Sequence, residues 1–181
     1  MELWDAYDKD GQRTGGTLVR GETIADGLYH LVCEVLVRHK DGSYLCLQRA
    51  QSKKGYPGWW EATAGGSALR GEDEWACVRR ELREETGIDC DAFEQIGRFV
   101  DAADHSIFCC FVCCVAVDKD GVTLQEGETE AFRWMTETEF RAFVRSGEMI
   151  PPQQRRYRAY LESLGCELPE AESACQGQEN R

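Results

Sequence analysis

The hydrophobic residues of this chain recur mostly in short alternating runs, which is the spacing of β-strands. They predict strands over residues 2–8, 29–38, 43–48, 61–64, 93–100, 106–117 and 130–135. The first run ends at the turn sequence Lys9-Asp10-Gly11, so we expect an N-terminal strand or hairpin. Gly55 and Pro57-Gly58 mark residues 53–60 as a loop.

Three segments have patterns typical of helices, over residues 72–86, 136–146 and 152–164. Gly87 gives the first helix a typical C-terminal stop. One central and two late helices among many strands indicate an α+β or α/β fold, a mixed sheet with helices packed on its faces. We expect a single domain over residues 1–165, followed by a loose polar tail at 166–181.

The charge of the chain narrows the classes of function. Its 181 residues include 33 acidic and 21 Lys or Arg side chains, a net charge of −12. Such a surface is unsuited to a nucleic-acid polymer or an anionic membrane. We expect a cytoplasmic protein, because the chain opens without a basic and apolar leader and has no run of about 20 apolar residues. An anionic substrate would need local positive charge, which a divalent cation held by surplus carboxylates supplies.

The ten cysteines lie mostly within apolar runs, as in residues 108–115. Adjacent cysteines on a strand point to opposite faces, so the four in this run do not converge on one metal ion. We therefore interpret them as small buried side chains in a reducing compartment, rather than as disulfides or zinc ligands.

The first predicted helix carries three carboxylates on one side. At about 100° per residue, Glu81, Glu84 and Glu85 fall within an arc of about 100°. Like charges this close repel each other, and the arrangement makes sense if a hard cation lies among them. Oxygen ligands of this kind suit Mg²⁺ or Mn²⁺.

The rest of the same helix predicts how it is anchored. Trp75, Val78 and Leu82 form a narrow apolar stripe beside the acidic edge. Arg80 falls next to Glu84, where it could orient the carboxylate. The competing interpretation is a solvated surface helix held by salt bridges.

The stretch from Gly66 to Ile88 reads Gly-x5-Glu-x7-Arg-Glu-Leu-x-Glu-Glu-x-Gly-Ile. It resembles the Nudix box at every specified position, and so the chain resembles the Nudix hydrolase family. The resemblance implies a mixed β-sheet sandwiched between α-helices, with the box as loop, helix and loop. It also implies Mg²⁺-dependent hydrolysis, with Mn²⁺ as an alternative cofactor, of a small-molecule diphosphate such as a nucleoside diphosphate derivative.

Matching positions in the resemblance assign roles to residues of the box. The metal ligands would be Gly65, through its carbonyl, and Glu81, Glu84 and Glu85. The residues that hold the box in shape would be Gly66, Glu72, Arg80 and Gly87. The glycines would allow backbone turns and the other two would pair with each other.

The general base is less fixed by the resemblance. Glu84 and Glu85 are candidates within the box. A later acidic segment adds Glu126, Glu128 and Glu130, of which we assign Glu128 to the catalytic set. An acidic loop that only faces water explains any one of these three equally well.

Residues 48–60 are similar to the corresponding segment of isopentenyl-diphosphate isomerase, a Nudix-fold enzyme. The similarity implies that Arg49 and Lys53 bind the substrate diphosphate. It also places His30, Glu126 and Glu128 at metal-ligand or acid–base positions, although His30 on an apolar strand equally fits a core histidine.

Three functions therefore compete. Isomerase chemistry needs a cysteine and a histidine where this chain has Ala64 and Gly66, so the isomerase is the disfavoured alternative. A nucleotide-sensing module without turnover would not need the whole ligand set. A diphosphate hydrolase uses every feature, and exchange of the N-terminal hairpin would allow it to form a homodimer.

Overall fold

The structure is a computed structural model and describes residues 1–168. Its strands are β1 (Leu3–Tyr7), β2 (Arg13–Val19), β3 (His30–His39), β4 (Tyr44–Arg49), β5 (Trp60–Glu61), β6 (Thr63–Ser67), β7 (Phe93–Asp101), β8 (Ser106–Val115) and β9 (Thr129–Met135). Its helices are α1 (Glu74–Thr86), α2 (Glu137–Ser146), α3 (Pro151–Arg156) and α4 (Arg158–Ser163), with a 3-10 turn at Lys119–Gly121.

A mixed sheet is built around β3. This strand pairs in parallel with β8 over its whole length, from His30 opposite Ser106 to His39 opposite Val115. The strand order is β5-β4-β3-β8-β7, with β6 antiparallel to β3 and β9 antiparallel to β4. The hairpin of β1 and β2 forms a second, two-stranded sheet.

Helices cover both faces of the sheet. Because side chains alternate along a strand, Val35 of β3 packs with Leu82 of α1 in one buried cluster. Leu36 packs with Phe140 of α2 and Leu161 of α4 in a second cluster on the other face. The predicted fold class, a mixed sheet sandwiched between helices, is confirmed.

Two predicted elements are each divided in the structure. The strand predicted at 61–64 is divided between β5, which ends at Glu61, and β6, which begins at Thr63 and continues to Ser67 because Gly65 and Gly66 remain within the strand backbone. The helix predicted at 152–164 divides at Tyr157 (φ −95°, ψ 7°) into α3 and α4. The Tyr157 side chain is fully buried there, and its hydroxyl donates to the carbonyl of Glu34 at 2.8 Å.

Most of the described cysteines are buried, as predicted. Nine of them, all within residues 1–168, are free thiols, and seven of the nine are buried. Cys109 belongs to the first core cluster and its neighbour Cys110 to the second. Cys166, the first residue of the predicted tail, is also buried, while 169–181 lie outside the described residues. Within residues 1–168, no helix is long and apolar enough to cross a membrane.

Candidate active site

Helix α1 is fixed at both ends by local chemistry. The Asp73 side chain accepts the Ala76 N–H at 2.8 Å and caps the N-terminus. Gly87 closes the C-terminus with φ 71°, a left-handed conformation that favours glycine, as predicted for this position. The helix therefore begins at Glu74, two residues after the predicted start.

The buried face of α1 is formed by Cys77, Val78 and Leu82. The predicted stripe is wrong for Trp75, which is 42% exposed and packs edge to face on Phe111 with ring centroids 5.0 Å apart. The small thiol of Cys77 fits directly beneath β6, where its Sγ lies 3.6 Å from the Gly66 carbonyl oxygen. Anchoring by this face turns the acidic edge of α1 toward β6.

Arg80 organises the carboxylates of the box. Its Nε donates to Glu72 at 2.7 Å, and its Nη1 donates to Glu81 at 2.8 Å and to Glu84 at 3.0 Å. Its Nη2 donates to the Ser67 carbonyl at 3.1 Å. The hydrogen bonds with Glu72 raise the pKa of Arg80, so the guanidinium is permanently charged. One arginine thus ties the loop, the helix and β6 together, and the predicted pairing of Arg80 with Glu72 is present.

The two glycines of β6 are needed for space. A Cβ on Gly66 would lie 2.6 Å from a carboxylate oxygen of Glu81. A Cβ on Gly65 would lie 2.1 Å from the Cys33 carbonyl oxygen. The expectation that Gly66 allows a backbone turn is therefore wrong, because its φ is not left-handed and it makes room for Glu81 instead. The Gly65 N–H donates to Glu85 Oε2 at 3.0 Å.

A cavity of about 210 Å³ opens between α1, β6 and the N-terminal hairpin. Its charged lining residues are Glu2, Arg20, Lys53, Arg80, Glu81, Glu84, Glu85 and Glu128. Its other lining residues are Gly65, Gly66, Ser67, Leu69 and Gln125. Five carboxylates thus face three cations, and the cavity is acidic.

The predicted diphosphate-binding residues are placed differently from each other. Lys53 lines the cavity and is paired with Glu128. Arg49 does not line it, because its Nη1 donates to both carboxylate oxygens of Glu61 at 3.0 and 3.2 Å and its Nε donates to the Gly55 carbonyl. Burial raises the pKa of Glu61 to about 7, although the charge of Arg49 opposes the shift.

The late acidic residues also separate. Glu128 faces the cavity, whereas Glu130 accepts the Gln51 N–H at 2.8 Å and Glu126 is not part of the cavity lining. Among these three, Glu128 is therefore the candidate that shares a cavity with the box.

The most buried carboxylate of the cavity is Glu85. Burial, followed by the charges of Glu61, Glu81 and Glu128, raises the pKa of Glu85 well above its ordinary value. Burial also raises the pKa of Glu81, although Arg80 opposes this shift. Negative charge is therefore unfavourable here unless a cation is added.

His30 lies in the core beside the cavity and does not line it. Its ring stacks on Trp4 with centroids 4.1 Å apart, and Nε2 lies 2.9 Å from Ser106 Oγ. Nδ1 is buried and has no hydrogen-bond partner among the described residues. Burial lowers the pKa of His30 to about 4. These contacts favour the core interpretation over a metal ligand.

Sequence reasoning missed Glu2 and Arg20, which the hairpin brings to the cavity from the N-terminus. Neither belongs to a motif or to a spacing that predicts a site. One signal for Glu2 was available in the sequence. A buried tryptophan needs an acceptor for its Nε1–H, and Glu2 lies two residues before Trp4.

The donor set suits a divalent cation. Its five carboxylates supply the oxygen ligands that Mg²⁺ and Mn²⁺ prefer, and they outnumber the three cations of the lining. Within residues 1–168, no three His, Cys, Asp or Glu side chains already form a metal-binding group. Arg80 instead donates to Glu81 and Glu84, and Glu85 accepts the Gly65 N–H.

The family of the chain follows from this box and from comparison with known proteins. A family model described as the NUDIX domain matches residues 28–158. The chain belongs to the Nudix hydrolase family. As a Nudix hydrolase it is an enzyme, and its reaction class is hydrolysis of a pyrophosphate-containing compound.

Relatives of this Nudix hydrolase include both hydrolases and an isomerase. An uncharacterized Nudix hydrolase of Listeria monocytogenes is 34% identical over 151 residues, covering 83% of this chain and 89% of that protein. An isopentenyl-diphosphate Delta-isomerase of Corynebacterium diphtheriae is 30% identical over 147 residues, covering 75% and 79%. Both predicted resemblances are confirmed. The crystal structure of DR0079 from Deinococcus radiodurans has the same fold, with a TM-score of 0.64 at 19% identity over 81% of this chain and 90% of that one.

Proposed function

We propose that this chain is a Mg²⁺-dependent hydrolase that cleaves the diphosphate linkage of a nucleoside diphosphate derivative or a related small molecule. The observation that carries the proposal is the acidic cavity beside α1. It brings Glu81, Glu84 and Glu85 of the box together with Glu128 and the cation of Lys53. Gly65, Glu81, Glu84 and Glu85 would hold the metal ion, and Mn²⁺ would substitute for Mg²⁺.

The reaction needs charge neutralisation and a proton acceptor. When bound, the divalent cation supplies neutralisation of phosphoryl oxygens and a lowered pKa for a water molecule. Lys53 would bind the diphosphate after leaving Glu128. Arg80 would stay in place and hold Glu81 and Glu84 in their orientation.

The proton of the attacking water would pass to a cavity carboxylate. Glu84, Glu85 and Glu128 all border the space in which the water must lie. Glu128 is available as a base once Lys53 binds phosphate, because the exchange releases the Glu128 carboxylate from its ion pair. Glu84→Gln, Glu85→Gln and Glu128→Gln separate the base from the residues that hold metal when kcat is measured as a function of Mg²⁺ concentration. Loss of a metal ligand should raise the Mg²⁺ concentration needed for half-maximal rate, whereas loss of the base should lower kcat even at saturating Mg²⁺.

The test is a panel of nucleotide, sugar-nucleotide and prenyl diphosphates, incubated with MgCl₂ or MnCl₂ and assayed for phosphate and pyrophosphate. We expect turnover that EDTA abolishes and that Glu84→Gln strongly reduces. The matched control is Glu94→Gln, which removes the same charge from an exposed position on β7. Wild-type protein that turns over none of the panel, or Glu84→Gln that equals wild type, would contradict the proposal.

The same panel decides the alternative. An isomerised prenyl diphosphate would indicate isomerase chemistry, which the alanine at position 64 disfavours because it supplies no proton donor. Binding of a nucleotide without turnover would indicate a sensing module.

A further inference from the structure

One ion pair in the cavity wall lies outside the box and has no role in the scheme above. It joins Glu2 and Arg20, at the two ends of the N-terminal hairpin, with Arg20 Nη1 at 2.7 Å from Glu2 Oε2. The Arg20 N–H also donates to the Glu2 carbonyl at 3.0 Å, so the backbone keeps these two residues adjacent.

The two partners are held very differently. Glu2 is fixed, because its Oε1 accepts the Trp4 Nε1–H at 2.8 Å and Trp4 is buried against His30. The side chain of Arg20 is 60% exposed, and Glu2 is the carboxylate with which it pairs among the described residues. Arg20 can therefore leave the pair by rotating its side chain, whereas Glu2 cannot follow it.

Arg20 also differs from the other cations of the cavity. Arg80 bonds three carboxylates and the Ser67 carbonyl, so it is committed to the box. Lys53 is paired with Glu128, a residue of the proposed catalytic set. Arg20 is the remaining lining cation, and its partner Glu2 belongs neither to the box nor to the proposed catalytic set.

We propose that Glu2 is an internal competitor for the anionic substrate, occupying Arg20 until a diphosphate displaces it. The inference deepens the proposed function, on which it rests for the identity of the anion as a substrate diphosphate. A guanidinium binds a carboxylate and a phosphate with the same N–H donors, so the two exchange directly. The charge of Glu2 therefore sets how tightly the resting enzyme binds an anion.

The competitor model predicts opposite effects for the two partners. Glu2→Gln keeps an acceptor for Trp4 and releases Arg20, so anion binding should tighten about threefold to fivefold. Arg20→Gln removes the guanidinium and should weaken binding about tenfold. In the Arg20→Gln background, Glu2→Gln should change binding less than about twofold, because no cation remains for Glu2 to occupy.

The experiment is isothermal titration of inorganic pyrophosphate, in MgCl₂ at constant ionic strength, into wild type, both single variants and the double variant. Lys9→Gln is the matched control, since Lys9 is an exposed cation at the turn of the same hairpin. Thermal unfolding of each variant checks that the hairpin remains folded.

Each outcome is decisive. Tighter binding by Glu2→Gln that disappears in the double variant supports the model. An equal gain in both backgrounds overturns it, because simple removal of negative charge would then explain the gain. Weaker binding by Glu2→Gln, or no measurable binding by any of the four proteins, also overturns it.

The two proposals fail separately. If the substrate panel shows turnover that Glu84→Gln reduces, while none of the variants changes pyrophosphate binding, the hydrolase stands and the competitor does not. If the cycle behaves as expected but no diphosphate is hydrolysed, the competitor stands and the hydrolase does not.

Discussion

Two buried glutamates on opposite faces of the sheet differ in whether their charge is balanced by a partner. Glu34 and Glu85 are each 8% exposed. Glu34 forms a two-pronged ion pair with Arg156, whose guanidinium lies 4.0 Å from the Phe108 ring centroid. Glu85 accepts a backbone N–H and is surrounded by further carboxylates, which with burial raise its pKa. Charge is balanced at Glu34 by Arg156, and left unbalanced at Glu85, where we propose that a cation binds.

The largest expected effect follows from substituting Glu85, the glutamate without a counter-charge among the described residues. Glu85→Gln should lower kcat about a thousandfold, since it removes a carboxylate that we propose holds the metal ion and is a candidate base. Without metal, its free energy of unfolding should stay equal to wild type or rise, because removing an uncompensated buried charge relieves repulsion. Steady-state kinetics in MgCl₂ measure kcat, and urea unfolding in EDTA measures the free energy of unfolding. A strongly destabilised variant would mean that Glu85 is structural.

Glu34→Gln tests the glutamate whose charge is balanced by Arg156. It leaves Arg156 buried without its counter-charge and should lower the free energy of unfolding by about 3 kcal/mol. Values of kcat and KM measured well below the unfolding temperature should stay within about twofold of wild type. A large loss of kcat with normal stability would show that both faces contribute to the reaction.

His30 extends the comparison to a group that is buried without charge. Burial lowers its pKa from 6.5 to about 4, so the unfolded chain binds the proton first as the pH falls. The contribution of neutral His30 to the free energy of unfolding is complete above pH 6.5. It is lost as the pH falls toward 4, which lowers the free energy of unfolding by at most about 3 kcal/mol. Urea unfolding of wild type and His30→Gln across this range should show the difference between them narrowing toward pH 4. A pH-independent difference would contradict the low pKa.

The smallest expected effect tests whether the glycines of β6 are needed to make room for the neighbouring groups. Gly66→Ala places a Cβ against the Glu81 carboxylate, which must shift. We expect about a tenfold loss of kcat/KM and about 1 kcal/mol of stability. Gly65→Ala meets the Cys33 backbone carbonyl instead and should destabilise more. Similar unfolding free energies for the two variants would contradict this distinction.

Local periodicity predicted the part of the site that lies on one element. Helical spacing placed Glu81, Glu84 and Glu85 on one edge of α1, and strand alternation predicted the two core faces. The contribution of Glu2 and Arg20 could not be predicted, because it depends on where a distant hairpin docks. Arg49 was assigned by resemblance alone, and its ion pair with Glu61 directs it elsewhere.

The parallel pairing of β3 with β8 also governs how this chain folds. It joins His30 to Ser106, 76 residues apart, and α1 lies within that connection. Closing so long a loop costs entropy that only the finished core repays, so we expect slow folding for a chain of this size. During synthesis, the acidic helix emerges before β8, and its apolar face must wait for the sheet to be completed. The order of synthesis thus exposes the acidic edge of α1 to solvent before the cavity exists.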